Sequence, residues 1–167
     1  MPNSIVPLVS KLPAIGTTIF TVMSRLAAEY GAINLSQGFP DFQAEPELFA
    51  ATMQAMHDGH NQYPPMAGVP ALREAIAAKI ETLYGQHYDP GLEITVTAGA
   101  TQALLTAVLA LVHPGDEVIV LEPCYDSYEP AIALAGATAV RVPLTPGSFR
   151  PDFERIAAQW LANAPAP

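Results

Sequence analysis

Apolar residues recur at helical spacing in three segments of the first half of the chain. In the segment 17–31 they share one helical face, and Gly31 is suited to end the helix. Two further helices are predicted over 45–59 and 70–85, each with a proline near its start and a glycine at its end. The first half is therefore predicted to be mostly helix and loop.

The pattern changes in the second half, where apolar β-branched runs alternate with helix-forming runs. The predicted order is strand 93–99, helix 101–112, strand 117–123, helix 125–136, strand 137–144 and helix 151–164. Such alternation indicates an α/β fold with parallel strands and right-handed crossovers. Ligands of these folds collect at the carboxyl ends of the strands, where Gly99 and Pro123 lie. The helix 101–112 is apolar nearly all round, which predicts a buried helix.

Composition limits the classes of protein to consider. The chain has 167 residues, of which 50% are hydrophobic and 14% charged, as expected for one globular domain. Its net charge of −9 with only seven lysines and arginines argues against a nucleic-acid partner. Cys124 is the only cysteine, so no intrachain disulfide forms, and we expect a cytoplasmic protein with no membrane span. The histidines have no metal-ligand spacing, and no metal site is predicted.

The turn in TVTAGATQALLT (95–106) is the first candidate site. The first turn of a helix attracts anions through its N–H groups and partial positive charge. Gly99 would permit close approach of a phosphate, and the Thr101 hydroxyl could add a hydrogen bond. The motif alone is also compatible with a plain strand-to-helix turn, because it is neither a dinucleotide-binding fingerprint nor a P-loop.

Three further loops carry more candidate chemistry. In EPCYDSY (122–128), Tyr125 or Tyr128 could stack on a planar ligand, or could simply cover the end of the sheet. We interpret Cys124 as a small packed residue and not a nucleophile, because no neighbouring His or Lys would lower its pKa. The loops SQGFPDF and NQYPPMAG are rich in polar groups but are also explained by turn chemistry.

Four segments together resemble one known family. They are INLSQGFPDF, NQYPPMAGVPALREAIA, EITVTAGATQAL and PGDEVIVLEPCYDSYEPAI, and they occur in that family's order and spacing. From about Ile15 to about Ile156 the chain resembles the N-terminal part of a fold-type I aminotransferase of class I/II, which binds pyridoxal 5′-phosphate. The sequences of these segments are most similar to the methionine and kynurenine/glutamine aminotransferase branch.

The resemblance implies an incomplete α/β fold of the aspartate-aminotransferase-like kind. Residues 1–45 would form an N-terminal arm and helix that contribute to the small domain. Residues 46–167 would form a truncated large cofactor-binding domain, built as a three-layer α/β/α sheet. An α/β domain that stops at this point would leave an unpaired sheet edge and exposed apolar helix faces.

The resemblance also assigns roles to individual residues. Gly99, Ala100 and Thr101 match the cradle of the cofactor phosphate, and Tyr125 matches the aromatic ring on the pyridine face. Tyr63 matches a tyrosine that reaches the phosphate from the partner subunit, which implies a homodimer. Gly38 matches the backbone group beside the substrate carboxylate.

One part of the family's pattern is absent. Pyridoxal catalysis needs a lysine, and this chain has only Lys11 and Lys79, neither in the family's context. We therefore expect an inactive N-terminal part of an aminotransferase, with no catalytic residue of its own. The parent enzyme would transfer an amino group from methionine, an aromatic or a glutamine-like amino acid to a 2-oxo acid. Two alternatives stay open: a short, non-catalytic phosphate- or cofactor-binding module, and an unrelated doubly wound nucleotide-binding domain.

Overall fold

The computed structural model describes residues 9–38 and 40–163 of the chain. Helices predominate in this part, and two strands form a single sheet. In chain order the elements are α1 (Ile19–Glu29), α2 (Pro46–His57), α3 (Pro70–Tyr84), α4 (Gly99–Leu111), β1 (Glu117–Glu122), α5 (Tyr128–Leu134), β2 (Thr138–Pro143) and α6 (Phe153–Asn163).

The chain divides into two compact units. The first unit contains the described residues up to Val22 together with those from Gly99 onward. The second unit runs from Met23 to Ala98 and contains α2, α3 and most of α1. The domain boundary predicted from the resemblance, between residues 45 and 46, stays a prediction.

The first unit is built on a parallel β–α–β arrangement, as the alternating pattern predicted. β1 and β2 pair in parallel, in a register that runs from Glu117 opposite Thr138 to Glu122 opposite Pro143. The crossover between them is α5, whose Ala131 and Ile132 are buried. Val120 and Val142 of the sheet, together with these α5 residues and Ala135, form the small core of this unit.

The predicted helix ends of the second unit are confirmed. α2 and α3 both begin with a proline at their first position. An N–H at that position has no acceptor within the helix, so the N–H that proline lacks costs no hydrogen bond. Gly85 closes α3 in the left-handed conformation, with φ of +65° and its N–H donating to the carbonyl of Glu81. Gly31, which follows α1, also has a positive φ, of +61°. Local turn chemistry therefore determines where these helices stop.

The predicted strand over 93–99 is wrong. Residues 94–97 have no regular secondary structure, and α4 already begins at Gly99. A β-branched sequence becomes a strand only where a neighbouring backbone continues the ladder. Here the Val96 N–H donates to the carbonyl of Ala67, in a loop, at 3.0 Å.

The expectation that helix 101–112 is buried is also wrong. No residue of α4 is buried, and Leu109 and Leu111 are more than half exposed. α5 packs against α4, and the opposite side of α4 remains open. On α6 the large apolar side chains of Phe153 and Trp160 are also largely exposed. No helix in the described part of the chain has the length and apolar character needed to cross a membrane.

Candidate cofactor site

The amino end of α4 is set by the backbone conformation of Gly99. This residue has a φ of +82°, a region that side chains with a Cβ rarely adopt. A Cβ built on Gly99 would meet no atom within 4 Å, so the position requires glycine for its conformation and not for lack of space. The thirteen residues of α4 direct their summed peptide dipole so that the end at Gly99 is positive.

A cavity of about 670 Å³ lies beside this helix end in the first unit. Its wall includes Thr101 and Leu105 of α4, residues 14–19, and the loop that carries Cys124 and Tyr125 after β1. This volume falls within the range of about 300–1,000 Å³ that is usual for small-molecule sites. The structure thus brings Thr101 and Tyr125, two of the predicted site residues, onto one cavity.

Tyr125 presents an aromatic ring at this cavity. Its side chain is half exposed, and its ring meets that of Tyr128 edge to face, with centroids 6.0 Å apart and planes at 76°. Tyr128 is the first residue of α5, and its N–H donates to the carbonyl of Tyr125. An edge-to-face contact uses the edge of one ring and one face of the other, so Tyr125 keeps at least one ring face that Tyr128 does not contact and that can receive a planar ligand.

An ionic cluster forms another part of the cavity wall. The Arg141 guanidinium on β2 donates from Nε to the Glu129 carboxylate on α5, and lies 3.3 Å from the Glu122 carboxylate at the end of β1. The hydrogen bond from Arg141 holds the pKa of Glu129 below its ordinary value, and Glu129 in turn raises the pKa of Arg141. All three side chains line the cavity and are partly exposed.

Cys124 was predicted to be a packed residue and not a nucleophile, and the structure contradicts the first prediction and supports the second. The side chain is exposed and lines the cavity, so it is not the packed residue that we expected. Desolvation, followed by the nearby Glu129 and Glu122 carboxylates, raises the pKa of its thiol. A raised thiol pKa means little thiolate at neutral pH, which fits the view that Cys124 is not a nucleophile.

Of the four remaining predicted site residues, Gly99 and Ala100 begin α4 but are not among the residues that line the cavity, and Tyr63 and Gly38 belong to the second unit. Tyr63 lies in a loop with its side chain 98% exposed. Gly38 follows a turn in which Asn34 accepts hydrogen bonds from the N–H and hydroxyl of Ser36 and donates to Ser24 of α1 at 2.9 Å. This arrangement ties the segment before Gly38 to α1.

Sequence reasoning missed Arg141 and the segment 14–19. Arg141 is the one charged residue within the otherwise uncharged strand β2, and this signal could have indicated a specific partner. The segment 14–19 gave no comparable signal, because its role at the cavity depends on tertiary packing. In the described ranges, no group of three or more His, Cys, Asp or Glu side chains could hold a metal ion.

The comparisons with known proteins bear on this site. The model of the family "Aminotransferase class I and II" matches residues 30–165. The chain belongs to the class I and II aminotransferase family. Members of this family use pyridoxal 5′-phosphate, and the chemistry of this cavity fits that cofactor: a positive helix end with a hydroxyl suits the phosphate, and an aromatic ring suits the pyridine.

Individual class I and II aminotransferases resemble the chain in sequence and in structure. Methionine aminotransferase of Escherichia coli (strain K12) is 56% identical over 156 residues, and the alignment covers 93% of this chain and 40% of the relative. Kynurenine–oxoglutarate transaminase 1 of Rattus norvegicus is 40% identical, with 81% of this chain and 33% of the relative covered.

The solved structures agree with the expected fold-type I class. The structure of the Escherichia coli protein with a methionine aminotransferase function superposes with a TM-score of 0.85 at 56% identity, covering 91% of this chain and 40% of that one. A single mutant of the aspartate aminotransferase of Thermus thermophilus gives a TM-score of 0.80 at 34% identity, with 92% of this chain and 41% of that one covered. The chain therefore has part of the fold-type I α/β architecture and spans about two fifths of the length of these aminotransferases.

Proposed function

We propose that this chain is the part of a pyridoxal-phosphate-dependent aminotransferase that receives the phosphate and the ring of the cofactor. The observation that carries the proposal is the placement of Thr101 and Tyr125 on one cavity beside the amino end of α4. Family membership supports the proposed reaction class and pyridoxal 5′-phosphate as the ligand of this cavity.

Each residue would contribute a distinct interaction. The Thr101 hydroxyl would donate a hydrogen bond to a phosphate oxygen, and the backbone at Gly99 and Ala100 would approach the phosphate closely. Tyr125 would lie against the pyridine ring. When bound, the cofactor supplies an electron sink for the bonds at the α-carbon of an amino acid. This chain would orient that group and cover one side of it.

The proposed reaction of the whole enzyme is transfer of an amino group from an amino acid to a 2-oxo acid. Methionine, aromatic and glutamine-like amino acids are the proposed donors, supported by the similarity to a methionine aminotransferase and to kynurenine transaminases. Gly38 would lie beside the substrate carboxylate, and its loop is tied to α1 through Asn34 and Ser24.

We propose that the 167-residue chain does not catalyse this transfer by itself. Lys11 and Lys79 are its only lysines, both are exposed, and neither is among the residues that line the cavity. The lysine that would bind the cofactor covalently is therefore not supplied by this chain. The same observation keeps the second candidate function open, a non-catalytic binding module for the cofactor or for phosphate.

We further propose a homodimer and a cytoplasmic location. The 98% exposure of Tyr63 leaves its ring available to a second subunit, as the family resemblance implies. Light scattering on a purified sample tests the dimer, and Tyr63→Asp or Tyr63→Ala should weaken cofactor binding only where the dimer forms.

The proposed cytoplasmic location is supported by the single cysteine, which is compatible with a reducing compartment, and cell fractionation tests it.

Titration with pyridoxal 5′-phosphate tests the proposed function. Thr101→Ala and Tyr125→Ala should each weaken binding, by about five- to tenfold, because each removes one hydrogen bond or one ring contact. Thr106→Ala is the matched control for the first variant, since Thr106 is on α4 but does not line the cavity. Tyr84→Ala is the control for the second, because Tyr84 is an exposed ring at the end of α3.

Two results would decide against the proposal. Equal binding by wild type, Thr101→Ala and Tyr125→Ala would place the ligand elsewhere. Transamination by the purified 167-residue chain would contradict its proposed inactivity. An S-x-x-K segment encoded in frame after Pro167 would favour the enzyme over the binding module, and its absence would favour the module.

A further inference from the structure

The loop 123–127, which carries Tyr125, is held at both ends by one side chain. Glu122 precedes this loop at the end of β1, and Glu129 follows it in the first turn of α5. Arg141 contacts both carboxylates, through a hydrogen bond to Glu129 and an ion pair of 3.3 Å to Glu122. A single guanidinium therefore bridges the two boundaries of the loop.

The register of the sheet explains why Arg141 reaches both partners. Arg141 is paired with Val120 across the parallel strands, and paired residues project to the same face. The hydrogen bond from Arg141 to Glu129 places the start of α5 on this face, and Val120 lines a small cavity together with Tyr128 and Ile132 of α5. Glu122 is two residues beyond Val120 and shares its face.

We propose that Arg141 is a positioning residue, which holds the loop 123–127 so that the Tyr125 ring stays at the cavity wall. This inference rests on the proposed function, in which Tyr125 contacts the pyridine ring. Arg141 itself touches neither the ring nor the phosphate in this account. Its effect on the ligand passes through Tyr125.

A rival explanation gives Arg141 a purely electrostatic role. The cavity wall also carries the carboxylates of Glu122, Asp126 and Glu129, which would repel a phosphate, and Arg141 offsets part of that repulsion. The two explanations agree that Arg141→Gln weakens binding. They disagree about Glu129→Gln, which removes a negative charge but also breaks the hydrogen bond that holds the loop.

The experiment compares two probes, pyridoxal 5′-phosphate and inorganic phosphate, on the full 167-residue chain. Positioning predicts that Arg141→Gln and Glu129→Gln each weaken the cofactor by about two- to fivefold, the range expected for a partly exposed ion pair. Inorganic phosphate has no ring, so its affinity should change by less than twofold. Arg155→Gln on α6, outside the cavity wall, is the control and should change neither affinity.

A double-mutant cycle separates positioning from general loss of structure. If Arg141 acts through Tyr125, then Arg141→Gln should have no further effect in a Tyr125→Ala background. Tighter cofactor binding by Glu129→Gln would overturn the proposal in favour of the electrostatic role. Additive effects of Arg141→Gln and Tyr125→Ala would overturn it as well.

A measurement without ligand tests the effect of Arg141 on the loop separately from the proposed function. Backbone ¹⁵N order parameters of residues 124–127 should fall in Arg141→Gln, whereas those of α3 should not change. Failure of the wild type to bind the cofactor would show that the proposed function is wrong. Unchanged order parameters of residues 124–127 in Arg141→Gln would show, separately, that Arg141 does not hold the loop. Loss of order throughout the first unit would also overturn it, because Arg141 would then be a general structural residue.

Discussion

Gly68 gives the most quantitative prediction, because its backbone and its surroundings both exclude a side chain. It is buried, has a φ of +101°, and follows Ala67, whose carbonyl accepts the Val96 N–H. A Cβ built on Gly68 would lie 2.6 Å from Val96 Cγ2 and 2.8 Å from Val96 Cβ. Neither distance is tolerated without movement of Val96 or of the Gly68 backbone, and Val96 belongs to the segment 94–97, which leads along the chain into Gly99.

Gly59 is a matched control for Gly68→Ala. Its φ of +90° is similar, but a Cβ there would meet no atom within 4 Å. The conformational strain of alanine at either position costs about 1–3 kcal/mol. Overpacking against Val96 adds about 1–3 kcal/mol at Gly68 alone. Gly68→Ala should therefore lower the free energy of unfolding by about 2–6 kcal/mol, and Gly59→Ala by only about 1–3 kcal/mol.

Urea unfolding followed by circular dichroism measures both losses. A double mutant that combines Gly68→Ala with Val96→Ala tests the contact itself. Val96→Ala removes the Cγ2 atom at 2.6 Å but retains the Cβ at 2.8 Å. Val96→Ala should therefore be less destabilising in the Gly68→Ala background than in wild type, a favourable coupling between two residues in contact. Equal losses for Gly68→Ala and Gly59→Ala, or strict additivity with Val96→Ala, would show that a Cβ at position 68 does not clash with Val96.

Three further predictions follow from the first unit. The Glu129 carboxyl should titrate below its ordinary pKa in a ¹³C NMR titration and return toward that value in Arg141→Gln. Because the Glu129 pKa is lower in the folded than in the unfolded state, the stabilisation from this pair should be complete above the unfolded-state pKa. It should be lost as the pH falls through the folded-state pKa. A Glu129 pKa that does not change in Arg141→Gln would contradict the role of Arg141. The Cys124 thiol should react slowly with iodoacetamide at pH 7, because its pKa is raised. It should react faster in Glu129→Gln, which removes one of the carboxylates that raise this pKa, and equal rates in the two proteins would show that Glu129 does not contribute. The exposed side chains of Leu111 and Trp160 predict self-association that grows with concentration, measured by light scattering, and a monomer with a sharp, reversible thermal transition would be evidence against it.

Local sequence signals predicted the parts of the fold that depend on local chemistry. Prolines at first helical positions and Gly85 at a left-handed C-cap determine the helix boundaries of α2 and α3 without help from distant residues. The apolar run of β1 also became a strand, because β2 provides a parallel partner in register.

Tertiary context decided the features that the pattern misjudged. Residues 93–99 have the composition of a strand, but at Val96 the backbone pairs with a loop carbonyl and no ladder forms. The apolar surface of α4 predicted burial, yet burial requires a neighbour on each side of the helix. At the site, Gly99, Thr101 and Tyr125 carried signals in the sequence. Arg141 gained its importance only from the register that places it next to Glu122.

In the proposed complex the cofactor phosphate lies at the start of α4 and the cofactor ring lies against Tyr125. A ¹H–¹⁵N and aromatic ¹H–¹³C NMR titration of the chain locates both groups. Pyridoxal 5′-phosphate should shift the amides of residues 99–101 and the ring signals of Tyr125, whereas inorganic phosphate should shift the amides alone. Shifts centred on Lys11 or Lys79, or no saturable shifts at residues 99–101, would contradict the account.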